Sequence, residues 1–427
     1  MALPEQDGLR WKDTLFDVVP EWTREPSVEA IEKVCRQQLS IPPDESCEVV
    51  FFASGLFNKL YKIRRANSDS LVMRVTLPVY PHHKTRAEVA TLRWVRDNTS
   101  IPVPEIFAFD NTNNNEIGFE WILMELIPGA PAHTRWWDMS MEQKVAFTKQ
   151  MAKFQAELCG SFQKADSLFR NIGTLDICST TPDPVKDSKA VAPGLLVSHE
   201  FFMGDHLHYD IPRGPFRSSH DWLRTKLDII LRHQTAVLNS SEDEDEREDA
   251  EDISAVASKL LALVPKVFAH LQTLEEREPE TTAAVYHHDL HLNNILVDEH
   301  GEITGVLDWE CVSALPIWMS AKVPKYLEGP VREEEPHRET YGDLEERGED
   351  SLYFIHRMEY EATYLREVYK ARLKELWPGW PLEEGHAEID LFEAIEHCDG
   401  IFSKRVGRWA DRVLDGDMVR FDISNST

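Results

Sequence analysis

Apolar side chains in the first 45 residues fall at helical spacing once, at Ile31, Val34 and Cys35 after Ser27, which predicts an amphipathic helix over 28–39 with Ser27 as its N-cap. From Glu48 the period shortens to β-type runs at 49–52, 60–63 and 71–75, the last two joined by a polar turn containing Asn67 and Asp69. That order predicts an antiparallel meander. Helical spacing returns over 84–98, where Glu88 shares a face with Leu92 and Val95, so a carboxylate is expected to point inward with the apolar stripe. Two more strands follow at 106–109 and 119–124. The second runs into Ile127-Pro128-Gly129, whose Pro-Gly pair ends regular structure and marks a lobe boundary.

Beyond Gly129 the spacing is mostly helical, over 141–158, 222–238, 253–274, 352–377 and 391–414, with no internal repeat. One compact β segment interrupts it. Val285-Tyr286 and the run 295–297 lead to the hairpin turn Asp298-Glu299-His300-Gly301 and then to 303–307. The organisation expected is an α+β chain: a helical arm (1–45), a small antiparallel-sheet lobe (46–127) and a larger helical lobe (128–427) carrying the β insertion at 285–310.

Charge changes this picture in two ways. The formal net charge is −29, from 46 basic against 75 acidic side chains, which disfavours nucleic acid and anionic membrane surfaces as partners. Much of the excess lies in two runs, 241–252 and 333–350, which read as solvated loops, the first within a flexible stretch 239–252. The six cysteines are dispersed without a CxxC pair, which argues against a disulfide framework or zinc site and for a reducing compartment. A polar, acidic start and the lack of a long apolar run lead to the expectation of a soluble, cytoplasmic protein.

Candidate chemistry concentrates in the β insertion. Asp289 follows one strand, Asn294 comes five residues later just before the next, and Asp308 closes the hairpin strand. Singly, each reads as a turn residue. Together they supply what phosphoryl transfer asks of a protein: a carboxylate to orient and deprotonate the attacking hydroxyl, and oxygen ligands for Mg²⁺ on the phosphates.

The same residues resemble the aminoglycoside phosphotransferase and choline kinase-like family, whose HxDxxxxN loop is matched by His287, Asp289 and Asn294 and whose Asp-aromatic-Glu segment is matched by Asp308, Trp309 and Glu310. The resemblance runs from about Glu48 to Glu328 and extends to fungal members of undefined substrate. It implies a two-lobed protein-kinase-like fold, with Asp289 as catalytic base, Asn294 and Asp308 as Mg²⁺ ligands, and His287 supporting the loop by hydrogen bonding. His291 lies near the phosphates in such proteins. Glu310 is open between a second metal and a brace.

In the small lobe the resemblance implies a phosphate-covering turn at Ser54, Gly55, Leu56, Phe57 and Asn58, a basic strand residue at Arg74 in place of the usual lysine, and Glu88 as the helical acid that positions it. Met124 would line the nucleotide pocket, and the backbones of Glu125 and Ile127 would receive the base. Segments 205–221 and 309–326 are candidates for acceptor selection, or for structural cover, while Trp136 and Trp137 read as core or interface rather than as a cation-binding cage. The implied activity is Mg²⁺-dependent transfer of the γ-phosphate of ATP, or GTP, to a hydroxyl of a small molecule. Arg74 and the single glycine of the turn keep a catalytically silent nucleotide-binding scaffold as the alternative. Protein phosphorylation is disfavoured because neither a full glycine-rich loop nor an Ala-Pro-Glu segment is present. Oligomeric state is open.

Overall fold

The computed structural model describes residues 6–14, 18–65, 68–160, 168–178, 191–269, 282–341, 352–380, 387–417 and 419–421. It has the α+β, two-lobed arrangement. A hairpin of β1 (Leu9–Asp13) and β2 (Val18–Trp22) precedes α1 (Val28–Gln38), whose N-cap Ser27 accepts a hydrogen bond from the Ala30 amide at 3.1 Å. The small lobe is a five-stranded sheet of β3 (Cys47–Ser54), β4 (Asn58–Arg65), β5 (Ser68–Thr76), β6 (Ile106–Asp110) and β7 (Glu120–Glu125), ordered β3-β4-β5-β7-β6 and antiparallel throughout. Crossing between β5 and β6 is α2 (His83–Asn98), which buries Glu88 beside Leu92 and Val95, as the periodicity requires.

The chain leaves β7 through Pro128 and Gly129 into β8 (Ala130–Pro131), which pairs with β12 (Ile295–Val297) of the β insertion, so the interlobe link becomes an edge of the sheet β13-β12-β8, with β13 at Ile303–Val306. A short α3 (Ala132–Arg135) precedes α4 (Met141–Leu158), which opens on a capping box between Ser140 and Gln143. A second sheet, β10 (Val191–Pro193), β9 (Gly173–Ile177), β14 (Ser313–Pro316) and β11 (Ala283–Tyr286), packs beside it. The rest of the large lobe is helical: α5 (His199–Phe202), α6 (Ser219–Ser240), α7 (Glu244–Val267), α8 (Leu352–Leu376), α9 (Ala387–Glu396) and α10 (Ser403–Leu414). Trp136 is core, and Trp137 is partly exposed.

Four sequence expectations change. The hairpin β1–β2 was not read from the sequence: Leu9-Arg-Trp-Lys-Asp alternates over only five residues and its partner strand carries Pro20, which weakens a strand signal; the strands are held by the pairing of five residues on each side. The acidic run 241–252 is no flexible loop: from Glu244 onward it is the start of α7. Asp243 caps that helix, accepting from the Asp245 and Glu246 amides at 2.9 and 3.3 Å, and the acids of the first turn face the positive end of the helix dipole. The single helix expected over 391–414 is two, α9 and α10, broken at Asp399-Gly400. Asp69 lies within β5 rather than in a turn, while Asn67 falls outside the described residues.

Candidate active site

Strand β11 delivers the chain to His287, which is 3% exposed and wedged edge-on against Trp309, ring centroids 4.8 Å apart. Its Nε2 lies 3.0 Å from the Leu307 carbonyl, and its Nδ1 accepts from the Asp289 amide at 3.3 Å. Those two contacts fix the ring as the Nε2–H tautomer. Burial lowers its pKa to about 4, against the help of the Leu307 carbonyl, so the ring is neutral at neutral pH. His287 therefore ties the loop to Leu307 and to the Asp289 amide.

Asp289 follows on the loop, half-buried. Its Oδ2 accepts from Asn294 Nδ2 at 3.1 Å and lies 3.2 Å from His291 Nε2, while Lys325 Nζ stands 3.6 Å from Oδ1. The Asn294 amide nitrogen also donates to the Asp289 carbonyl at 3.0 Å. That nitrogen is thus committed to Asp289, and the amide oxygen is the atom left to face a cation. The Lys325 contact carried no sequence signal beyond its place in the 309–326 segment.

After β13, Leu307 donates to the Asn294 carbonyl at 2.8 Å, tying the end of the hairpin back to the loop. Asp308 then adopts a left-handed backbone, φ 62°. For a residue other than glycine this is uncommon, though the short polar side chains tolerate it best. It turns the chain so that Asp308 and Glu310 both reach the small lobe. Asp308 lies 3.8 Å from the Arg74 guanidinium and remains 38% exposed. Burial raises its pKa, and the neighbouring Glu310 carboxylate raises it further.

Arg74 is 7% exposed and sits between two acids: Glu88 at 2.8 Å and Glu310 at 2.6 Å. Its Nε and the Glu88 Oε2 are buried without hydrogen-bond partners. Burial lifts the Glu88 carboxyl to about 7 despite Arg74 beside it. Glu310 goes the other way. Its burial is outweighed by Lys84 and Arg74, which hold it well below the usual carboxylate range. Lys84, 1% exposed, forms a close ion pair with Glu310; Asn58 Nδ2 donates to the same carboxylate at 2.9 Å, and Asn58 Oδ1 accepts from Thr76 at 2.9 Å. Glu310 is thus a brace between lobes. Lys84 and Asn58 are the residues that the sequence reading did not assign to it.

The covering turn is closed by the Gly55 amide donating to the Asn58 carbonyl at 2.9 Å, with Ser54, Gly55 and Leu56 exposed. Phe57 is buried, its ring tilted 5.3 Å from His199 and edge-on 5.6 Å from Phe202 of the large lobe. Met124 is buried with Val72, Val89 and Ile122, and Glu125 and Ile127 are half-buried at the interlobe link. Among the described residues, no group of three or more His, Cys, Asp or Glu is placed to hold a metal. A magnesium ion on phosphates needs no such cage, since one or two protein ligands complete a shell of phosphate oxygens and water. Asp308 and Asn294 fit that smaller demand.

The segments 205–221 and 309–326 contribute Asp205, His206 and Tyr209, and Cys311, Ser313 and Leu315, to the wall of a cavity of about 1080 Å³ in the large lobe. The cavity meets the Asp289 loop at its neighbour His288. No helix of the described residues is long and apolar enough to cross a membrane.

The profile of the phosphotransferase enzyme family, APH, matches residues 48–319, a span that holds the side chains of this site other than Lys325. The chain belongs to that family. This phosphotransferase-family chain is 25% identical over 324 residues to a subtelomeric hrmA-associated cluster protein of Aspergillus fumigatus, covering 65% of this chain and 60% of that one. It is 25% identical over 313 residues to clavilactone A biosynthesis cluster protein Y of Ampulloclitocybe clavipes, covering 71% and 68%. The chain spans about 60% of the length of the Aspergillus relative. Among solved structures, the streptomycin–ATP ternary complex of APH(2″)-IIa aligns with 93% of this family member and 98% of that chain, at 12% identity and TM-score 0.44.

Proposed function

We propose that the protein transfers the γ-phosphate of a nucleoside triphosphate, ATP or GTP, to a hydroxyl of a small molecule, with Asp289 as general base. The observation that carries this reading is the pairing of two differently held carboxylates. Asp289 is oriented by Asn294 and His291 on one loop. Asp308, on a left-handed turn, stands partly exposed against Arg74 of the other lobe. The first carboxylate stays 28% exposed, within reach of an acceptor hydroxyl, and the second stands against the small lobe.

In this reading the acceptor hydroxyl donates its proton to Asp289, whose Oδ2 is held in place by the Asn294 amide. His291 and Lys325 both stand beside the carboxylate, and the Lys325 ammonium lends positive charge where the phosphoryl group arrives. Asn294 and Asp308 would hold Mg²⁺, which when bound would neutralise charge on the phosphate oxygens. Arg74 positions Asp308, and Glu88 and Glu310 position Arg74.

Acceptor-dependent ADP formation tests the assignment. Asp289→Asn should lower it by roughly 10²- to 10⁴-fold while leaving nucleotide binding intact. Asp308→Ala should abolish the Mg²⁺-dependent thermal stabilisation by nucleotide, which for a ligand at a hundred times its Kd amounts to about 2.7 kcal/mol in the parent protein. One observation favours a second reading, a silent nucleotide-binding protein: both acids flanking Arg74 already hold its charge. Nucleotide-dependent stabilisation without turnover of any acceptor would select it.

A further inference from the structure

The cavity beside the Asp289 loop has walls from three parts of the chain, and two of them lie outside the family-matched residues 48–319. Trp11, Asp13, Thr14 and Val18 come from the β1–β2 hairpin, and Phe392, Ile395, Glu396 and Asp399 from α9 and the residues after it. The hairpin is fastened to the small lobe. Trp22 packs 5.0 Å from Phe119 with Lys59 Nζ 4.7 Å over its ring, and Arg24 Nη2 donates to the Gly118 carbonyl at 2.7 Å. Gly8, at φ +100°, lies so close to Phe119 that an added Cβ would stand 2.4 Å from the ring. Its far end crosses to the large lobe, where Val18 faces Gly204. An element anchored on the small lobe therefore forms one wall of a cavity whose lining reaches His288, next to Asp289 in the chain.

We propose that the N-terminal hairpin is the acceptor-selecting wall of this enzyme, with Trp11 and Val18 as specificity-determining residues, and that the acceptor is a bulky, ring-bearing alcohol without an anionic group. This rests on the phosphotransfer reading above. Size comes from the volume, about 1080 Å³, at the upper end of what drug-sized ligands occupy. Ring character comes from the aromatic side chains at the cavity, Trp11, Tyr209 and Tyr286, which offer flat apolar faces and a polar edge. Charge comes from the balance of the wall. Among the described wall residues Lys226 is the one lysine or arginine, and it is ion-paired with Glu200 at 2.7 Å and Glu396 at 2.5 Å; of the four histidines there, burial lowers the pKa of His206 and His288, and Asp13, Asp205 and Glu246 stand exposed at the rim to disfavour a carboxylate or phosphate ester. His288, the residue before Asp289 in the chain, lines the cavity, with its ring 6.3 Å from His199.

The test uses the full chain with MgATP and a size-matched panel of hydroxylated ring compounds: neutral aryl glycosides, amine-bearing glycosides, and carboxylate-bearing analogues. Binding is read by thermal shift with MgADP, and turnover by ADP release and product mass. Neutral or amine-bearing members should bind and be phosphorylated. Trp11→Ala should raise their KM at least tenfold with Trp11→Phe restoring it, and Gln234→Trp, which fills the cavity from α6, should abolish binding. The MgATP-induced shift should survive all three substitutions, which also shows that the variants fold. Three results would overturn the proposal: preference for the carboxylate-bearing members, acceptors whose KM ignores both Trp11→Ala and Gln234→Trp, or binding of MgATP with no panel member bound. Ring compounds that bind in a Trp11-dependent way to a protein lacking any MgATP shift would instead leave the wall standing and remove the phosphotransfer reading.

Discussion

Glu310 lies 2.6 Å from the Arg74 guanidinium, so a residue two positions beyond Asp308 in the large lobe is ion-paired to a strand of the small lobe. Lys84 and Asn58 converge on the same carboxylate, and both also belong to the small lobe. The pair aligns the two halves of the candidate site. Removing Glu310 would leave two buried cations facing each other without their shared anion. Glu310→Ala should therefore destabilise the fold by about 3–5 kcal/mol, measured by urea denaturation, and weaken nucleotide-dependent stabilisation as Asp308 loses its alignment. Glu310→Gln keeps the shape and the Asn58 hydrogen bond but not the charge, and should fall between parent and alanine variant.

That pairing also shows what a sequence can and cannot deliver. The Asp289, Asn294 and Asp308 spacing was legible because all three sit within one local segment, where loop and hairpin geometry is set by neighbours. The inward Glu88 was legible from helical periodicity. Lys84 was not, because it begins a helix where lysine is unremarkable, and its partner lies 226 positions away. The start of α7 was misread for a different reason. A run of like charges repels itself in any extended comparison, yet its first members are stabilised by the exposed amides of a helix start and by the Asp243 cap. The β1–β2 hairpin offered only a five-residue alternation and a second strand interrupted by Pro20, while what defines its strands is their pairing with each other and the packing of Trp22 on Phe119.

His287 makes stability depend on pH in a definite direction. Its pKa is lowered from the ordinary histidine value to about 4 because burial disfavours the imidazolium. The unfolded chain binds the proton first, so the stabilising contribution is complete above about pH 6.5 and is lost as pH falls from there toward 4. The full difference amounts to about 3 kcal/mol. The stability of the parent minus that of His287→Asn, measured by denaturant titration at successive pH values, should shrink across that window and be flat above it.

The cap of α7 predicts a smaller and local effect. Asp243→Ala removes the acceptor of two first-turn amides and should cost ~1 kcal/mol, while Asp243→Asn should cost much less. Hydrogen exchange at the amides of Asp245 and Glu246 should quicken in the alanine variant only. Unchanged exchange there would mean that the acidic run is held by something other than its cap.

Gly129 sets how the two lobes are joined. Its φ of +136° is open to glycine and strained for any other residue, and a Cβ there would lie 2.4 Å from Thr304 Oγ1 and 3.1 Å from the Val297 carbonyl. Thr304 cannot swing away without cost, since it donates to the Pro128 carbonyl at 2.7 Å and so fastens the link to β13. Gly129→Ala should therefore destabilise the protein by roughly 1–3 kcal/mol. The same strain is relieved most directly by shifting the link off the β12–β13 hairpin, which carries Ile127 with it, because Gly305 approaches Ile127 so closely that a Cβ on it would stand 2.9 Å from Cγ2. If Ile127 and Glu125 receive the nucleotide base, Gly129→Ala should weaken MgATP binding by more than its effect on stability alone, seen as a raised Kd in calorimetry on the folded variant. A variant that loses stability while holding the parent Kd would place the base-binding contacts elsewhere than at this link.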